Sequence, residues 1–560
     1  MNKVNHRLEG MGSIIGLDGI GFRVWAPAAD EVGVVGDFQD WDESNPLSLE
    51  SEGDGYWYGF SSEAKVGQEY KLLLDSNGNR FFRLDPYARK ITHSDGNAVI
   101  YDPNSFDWSE DTYELPPLTS LVIYECHLGT FAGNFEHAAS KLRYLKALGF
   151  NAIELMPVTD FPGERSWGYN PAHIFSVETN YGGVEGLKNF IKRAHELGIG
   201  VILDLVYNHL GPDDLDLWDF DGAGGPGPYF YNDERAKTPW GDTRPNYSSG
   251  PVRRFLRDNL MMWLTEYNID GVRTDGTVYV RRQEGPEGGD LADGWSLLQW
   301  FNEEVSSLPR WRVMIAEDLQ NDEWLTRSTE DGGAGFQCQW DAGFCHPLRE
   351  MLKSTEDSDR SVSRLLEILK FSYNGDPFQS VIYTESHDEV ANGSARMVTE
   401  IDAENPDAAH ATARALLGIG LVLTAPGVPM LFQGQVRMED GWFEDDQPID
   451  WSGEGRDREA LRVCRRLISL RSGVDDEAPE LQTRELEVVR ADEDSGLLVV
   501  SRGGSDLLIF YNLHNGTHQL SLSDGFRILA RTGDGVAEEG LLNLGPYEVV
   551  VGRGQLAGQE

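Results

Sequence analysis

The chain has 560 residues, with 93 Asp and Glu against 48 Lys and Arg, for a formal net charge of −45. That length calls for two or three domains, and a hydrophobic content of 40% with 15 Trp, 20 Tyr and 24 Phe excludes global disorder. So negative a field repels nucleic acid and anionic membrane, which leaves neutral polymers or small neutral substrates as the expected partners.

The opening stretch MNKVNHRLEGMGS lacks the apolar run of a signal peptide, so a soluble, cytoplasmic protein is expected. Residues 1–105 read as β. Alternation in GFRVWA and EVGVVG is broken by turn formers between Asp37 and Asp42 and at Asn77-Gly78-Asn79, the pattern of a sandwich. The segment FRVWAPAADEVGVVGDFQDWD resembles the starch-binding-type module, carbohydrate-binding module family 48, that precedes branching and debranching enzymes. Trp41 and Trp57 are its candidate glucan-stacking rings, and filling the sandwich core is the alternative for both. Residues 106–120, polar with Pro116-Pro117, read as a linker.

From Leu121 to about residue 475 the period changes. Apolar runs at 121–124, 152–156, 200–207, 271–275, 313–317, 335–340, 381–385 and 428–432 alternate with amphipathic helical stretches such as 138–148, 183–197 and 252–267. Eight β-then-α alternations are the pattern of a (β/α)8 TIM barrel. A doubly wound sheet competes, but no glycine-rich dinucleotide fingerprint follows the first strand. The insert 210–250, rich in Gly, Pro and Asp, would project over the catalytic face. The long apolar segment 415–432 is interrupted by Gly418, Gly420, Pro426 and Pro429, which argues against a membrane span. Beyond a helix at 457–470, residues 476–560 return to β and read as a small C-terminal sandwich without visible chemistry.

Four cysteines, Cys126, Cys338, Cys345 and Cys464, lie far apart without a CxxC pair, so reduced thiols and no metal site are expected. The acidic residues are spread over the whole length, as in proteins adapted to high salt. A melting temperature that climbs steeply from dilute buffer to molar salt is the expected signature; salt-independent stability would remove that reading.

Three acidic residues close three apolar runs: Asp275 after IDGVRT, Glu317 after VMIA, and Asp388 after VIYTESH. The C-terminal edge of barrel strands is where chemistry is built. Retaining cleavage of a glycosidic bond needs a carboxylate on one face of the sugar and a protonated carboxyl on the other, about 5 Å apart. Asp275 fits the nucleophile, with Arg273 on the same face of its strand to hold it ionised. Glu317 fits the acid/base, its proton affinity raised by desolvation. Asp388, beside His387, fits a group that binds sugar hydroxyls more tightly in the transition state. Any one of these carboxyls alone would more often be a helix cap or a solvated loop residue. Tyr207-Asn208-His209 closes a strand containing Asp204, and His209 and His387 would both donate to hydroxyls of one bound sugar.

ILDLVYNH (202–209), GVRTDG (271–276), MIAED (314–318) and TESHDE (384–389) resemble the four signature regions of glycoside hydrolase family 13, the α-amylase superfamily. The resemblance covers the N-terminal module, the barrel and the C-terminal sandwich. It implies an α-glucan or maltooligosaccharide substrate, the triad Asp275, Glu317 and Asp388, and Tyr169, in SWGYNPAHIFSVETNYG, stacked on the cleaved sugar. SHDEV resembles branching enzymes, whereas YFYNDERAKTPWGDTRPNY (229–247) and IYECHLGTF (123–131) lean towards malto-oligosyltrehalose trehalohydrolases. Gly276 stands where many relatives carry Ala, and Val436 where they carry Glu; the second change would remove a polar group near the site's rim. The expected activity is 1,4-α-glucan branching, with trehalohydrolase or amylase-type hydrolysis as alternatives and a non-catalytic glucan-binding protein behind them. No cofactor is required for this chemistry. Calcium at Asn208 is considered, with a structural hydrogen bond favoured for that residue. The residues leave the oligomeric state open.

Overall fold

Two antiparallel sheets, a closed parallel barrel and a second pair of antiparallel sheets follow one another in the computed structural model, which describes residues 7–557 other than 454, 534, 536 and 539. Residues 1–6, part of the stretch read for a leader, lie outside the described residues. In the N-terminal unit, Ile20–Trp25 and Tyr56–Ser61 pair in one sheet, and Glu31–Gly36 and Glu69–Ser76 in the other. Phe22 and Val24, Val32 and Val34, and Leu72 and Leu74 are all buried. The period-two alternation of the sequence is therefore the face trapped between the sheets. Trp57 packs on that core and donates Nε1–H to the Ala26 carbonyl at 3.0 Å, whereas Trp41 is half-buried and donates to Asp37 Oδ1 at 2.8 Å.

The barrel strands are β1 (Ile123–Cys126), β2 (Ala152–Leu155), β3 (Gly200–Leu205), β4 (Gly271–Thr274), β5 (Val313–Ala316), β6 (Cys338–Trp340), β7 (Ser380–Ile382) and β8 (Val428–Phe432). All neighbours are parallel, and β8 closes on β1 with Met430 opposite Ile123. Ile123, Ala152, Ile202, Val313, Ile315, Cys338, Val381 and Met430 form one apolar cluster inside the barrel, while Tyr124, Ile153, Leu203, Val272 and Met314 face the helical layer. One step further along the inward columns, hydrocarbon gives way to Glu125, Glu154, Asp204 and Arg273, all buried. The helices follow their apolar spacing. Phe135–Leu148, for example, buries Phe135, Ala138, Leu142, Leu145 and Leu148, starts on an Asn134 cap to the His137 N–H, and ends on Gly149 in the left-handed region.

The sixth and seventh strands are shorter than their apolar runs. After Ile382 the segment Tyr383–His387 stays buried but leaves the ladder, because other partners take its backbone. The Thr384 carbonyl accepts from Arg349 Nη1 at 2.6 Å, and the His387 N–H faces the Glu125 carboxyl at 3.3 Å. Asp388 accordingly sits in a turn and not at a strand edge, which corrects the sequence reading. The segment between β3 and the helix Gly250–Thr265 holds one short 3-10 turn, Glu234–Ala236. It is pinned to the N-terminal unit: Ala28 N–H donates to Asp221 Oδ2 at 2.8 Å, and Arg83 Nη2 donates to the Asp219 carbonyl at 2.8 Å. The four cysteines are buried free thiols. Among the described residues, no helix is long and apolar enough to cross a membrane.

Candidate active site

Asp275 is the first residue beyond β4, and two neighbours hold its carboxyl. Arg273 Nη1 donates to Oδ1 at 2.8 Å, and Asn208 Nδ2 donates to Oδ2 at 2.7 Å while also reaching the Asp275 carbonyl at 2.8 Å. Arg273 reaches because residues two apart on a strand share a face. Its Nη1 also donates to Asp204 Oδ2 at 2.6 Å, its Nη2 lies 3.7 Å from Glu317 Oε2, and Trp340 lies 4.4 Å beneath the guanidinium. One buried arginine thus gathers three carboxyls. Burial raises Asp204 to about 6 against the pull of Arg273.

Gly276 turns the chain at φ +49°, and a Cβ there would lie 2.6 Å from Asn208 Nδ2. Alanine, common at this position in the resembled family, would press on the amide that holds Asp275. The Gly276 N–H donates to Glu317 Oε2 at 2.6 Å. Glu317, the first residue beyond β5, is pushed up to about 8 by burial, with Asp275 and Asp388 adding to the shift and Arg273 opposing it. It is therefore protonated at neutral pH, the state a proton donor needs.

Asp388 is the open member of the set, with 43% of its side chain exposed. Its Oδ1 accepts from Asn392 Nδ2 at 3.2 Å, and its Oδ2 lies 3.5 Å from His387 Nε2. Burial alone would lower His387, but Asp388 and Glu125 outweigh it and lift the ring to about 9, so it is an imidazolium. Tyr169 stacks on His387 with centroids 5.1 Å apart and donates its hydroxyl to Asp204 Oδ2 at 2.5 Å. The charges of Asp275 and Asp388 both act on Glu317 and on Tyr169, so the three carboxyls that stand far apart in sequence share one site.

His209 departs from its expected role. Its Nε2 faces the Tyr169 carbonyl at 2.9 Å and its Nδ1 faces Asn208 Oδ1, which leaves neither nitrogen for a sugar hydroxyl. It orders Tyr169 and Asn208 instead. Asn208 spends both its amide atoms within this network. Among the described residues, no group of three or more His, Cys, Asp or Glu is arranged to hold a metal. Position 436 also differs from expectation: Val436 is buried in the main core and does not face the rim.

Sequence reasoning passed over three contributors. Glu125 bonds His387 from β1, Trp167 packs edge-on to His387 at 5.7 Å, and Trp240, 44% exposed, stacks on His209 at 4.5 Å. Only Glu125 carried a local signal, as a carboxyl inside an otherwise apolar strand.

Two family models match the chain: a carbohydrate-binding module 48 (isoamylase N-terminal domain) over residues 9–88 and an alpha amylase catalytic domain over residues 87–221. The malto-oligosyltrehalose trehalohydrolase of Saccharolobus solfataricus is 31% identical over 481 residues, 79% of each chain. The 1,4-alpha-glucan branching enzyme GlgB of Oceanobacillus iheyensis is 31% identical over 470 residues, 78% of this chain and 72% of that one. The fold is shared with the pullulanase of Anoxybacillus complexed with maltotetraose, at a TM-score of 0.80 and 19% identity over 98% of this chain and 88% of that one.

Proposed function

We propose that this chain, which belongs to the α-amylase superfamily, glycoside hydrolase family 13, is a retaining 1,4-α-glucan branching enzyme. That it is an enzyme acting on α-1,4-glucans follows from the family. The finer assignment rests on one structural observation above the others. Three exposed tryptophans, Trp240, Trp324 and Trp442, stand on separate loops, following β3, β5 and β8. Those loops all lie on the C-terminal face, and flat rings dispersed over it suit a long donor chain and a long acceptor better than one small sugar.

In this reading Asp275 attacks the anomeric carbon of an α-1,4 bond while protonated Glu317 gives its proton to the leaving oxygen. The cleaved chain is held as an ester on Asp275. Glu317, now ionised, removes the proton from a 6-hydroxyl of a second chain, which displaces Asp275 and forms the branch. Arg273 and Asn208 keep the Asp275 oxygens in place through both steps. Asp388 and the His387 imidazolium bind the hydroxyls of the distorted ring, and Tyr169 offers its face to that sugar. Transfer wins over hydrolysis when the acceptor hydroxyl is positioned and water is excluded.

A second reading, release of trehalose from a maltooligosyl-trehalose, is favoured by the packing of Trp240 against His209 and Tyr279, which sets a flat ring close to the Asn208–Asp275 network. Incubation with amylose separates them. Loss of iodine absorbance with few new reducing ends and new α-1,6 linkages supports branching. Free trehalose from the trehalosyl substrate, abundant reducing ends, or no change with any glucan would each replace it.

A further inference from the structure

Beneath the exposed Asp388 lies a buried pair, Glu125 and His387, of which the proposed mechanism uses only the histidine. Glu125, on β1, points into the barrel directly below His387. Its Oε1 meets His387 Nδ1 at 2.5 Å, and its carboxyl also faces the His387 backbone N–H at 3.3 and 3.4 Å. On the far side of the ring, Nε2 lies 3.5 Å from Asp388 Oδ2. Carboxylate, imidazole and carboxylate therefore stand in line from the barrel interior to the open site. We propose that Glu125 is a positioning residue of the reaction, which holds His387 in the orientation that tethers the Asp388 carboxyl at the sugar.

The tether matters because Asp388 has little else to hold it. It sits in a turn, is 43% exposed, and among the described residues has one further side-chain partner, Asn392 at 3.2 Å. Glu125 and His387, by contrast, are each 2% exposed at the side chain, so their geometry is fixed by packing. Trp167 and Tyr169 hold the ring at 5.7 and 5.1 Å, and Trp340 lies 5.9 Å away.

Charge in the surroundings favours the same arrangement. The ionisable groups that act on the ring are Glu125 and His127 from β1 and its following residue, Glu154 from β2, Arg273 from β4, and neighbouring Asp388. Glu154 is the register partner of Glu125 across β1 and β2, and its Oε2 is buried with no hydrogen-bond partner among the described residues. Burial and then the charge of Glu125 raise Glu154 well above the carboxylic range, so it is neutral. His127, lowered to about 4 by burial, is neutral as well. Arg273 opposes a second cation, but its charge is paired with Asp204 and Asp275. Glu125 and Asp388 together keep the imidazolium, and with it an N–H on both ring nitrogens.

The inference rests on the assignment of Asp388 to the reaction, and its test separates the two. The variant Glu125→Gln is isosteric; it removes the charge and turns one of the two acceptor oxygens into an NH2 donor. Its kcat on a linear glucan should fall on the order of 10- to 100-fold, the range for losing a group that orients a reacting one, with KM little changed. In the wild type the alkaline limb is set by Glu317 at about 8, below His387 at about 9. In the variant, His387 loses a proton at lower pH and should draw that limb downward. In a His387→Asn background, Glu125→Gln should cause no further loss and no further shift. Histidine-selective NMR of the unliganded wild type, with the His387 resonance assigned by its absence in His387→Asn, should show the ring protonated above pH 8. Titration of His387 near the ordinary 6.5, an unchanged limb with unchanged kcat, or an undiminished effect of Glu125→Gln without His387 would each overturn the proposal. Should the variant not fold, the wild-type titration decides alone. Absence of any glucan activity would count against the assignment of function and leave that titration standing.

Discussion

The barrel holds a buried cluster of charges at each end, and the two ends differ in what they leave free. At the N-terminal end, His195 lies between Asp111 and Asp270, with Nδ1 2.9 Å from Asp111 and Nε2 2.8 Å from Asp270. Tyr113 stacks over the ring at 4.7 Å, and the three side chains are at most 3% exposed. At the C-terminal end, Arg273 gathers Asp204, Asp275 and Glu317, yet Asp275 and Glu317 keep 12% and 11% of their side chains open and Asp388 keeps 43%. Burial of charge is common to both. Of the two, the C-terminal cluster leaves its carboxyls partly exposed, so openness, and not perturbed ionisation alone, separates chemistry from structure.

Substitutions at the two ends test that contrast. At the open end, Asp275→Ala should lower turnover on amylose by several orders of magnitude with the melting temperature close to wild type; near-wild-type rates would remove its nucleophilic role. Glu317→Gln should cost about 10²–10⁴-fold in kcat. Because the working form of Glu317 is the protonated one, wild-type activity should fall as pH rises through about 8, and the residual activity of the variant should lack that limb. The same shift has a stability sign. The folded value lies above the unfolded one, so the stabilisation is complete below about 4.5 and fades as pH climbs towards 8. A permanently neutral glutamine should therefore be no less stable than the wild type at pH 8, as urea melts would show.

At the closed end the expectations reverse. Asp270→Asn leaves His195 and Asp111 with a broken network and should cost about 3–5 kcal/mol of stability, with kcat of the folded enzyme unchanged. His195 is raised above its ordinary value: burial lowers it, but Asp270 and Asp111 prevail. Its stabilisation is complete below about 6.5 and is lost as pH rises through the raised value. Urea midpoints measured across that range should flatten in Asp270→Asn. A catalytic defect without loss of stability would erase the distinction between the ends. The smallest effect belongs to the rim: Trp240→Ala should raise KM for a long glucan by roughly threefold to tenfold, and an unchanged KM would deny that ring a part in binding.

Much of this was visible in the residues because strand and helix periods are local. Apolar runs ending in Asp275 and Glu317 mark barrel strands and their acidic tips, and the two-residue repeat alone puts Arg273 on the same face as Asp275. The errors came where long-range partners override the local pattern. VIYTESH reads as one continuous run that puts Asp388 on a strand edge, but Arg349 and Glu125 take the backbone of that segment out of the ladder. His209 looked free for a sugar because nothing nearby in sequence shows Tyr169 and Asn208 closing on its nitrogens.

The sequence by itself determined the family, the order of the three units and the strand ends at Asp275 and Glu317, since these depend on residue type and on periods of two and 3.6. Tertiary structure alone decided which groups are spent and which stay available. Glu125 reaches His387 across 262 positions of chain, and Arg273 reaches Asp204 across 69. Closure of β8 on β1 brings Glu125 to His387, the parallel pairing of β3 with β4 sets Asp204 beside Arg273, and the low dielectric inside the barrel turns that proximity into a fixed protonation state.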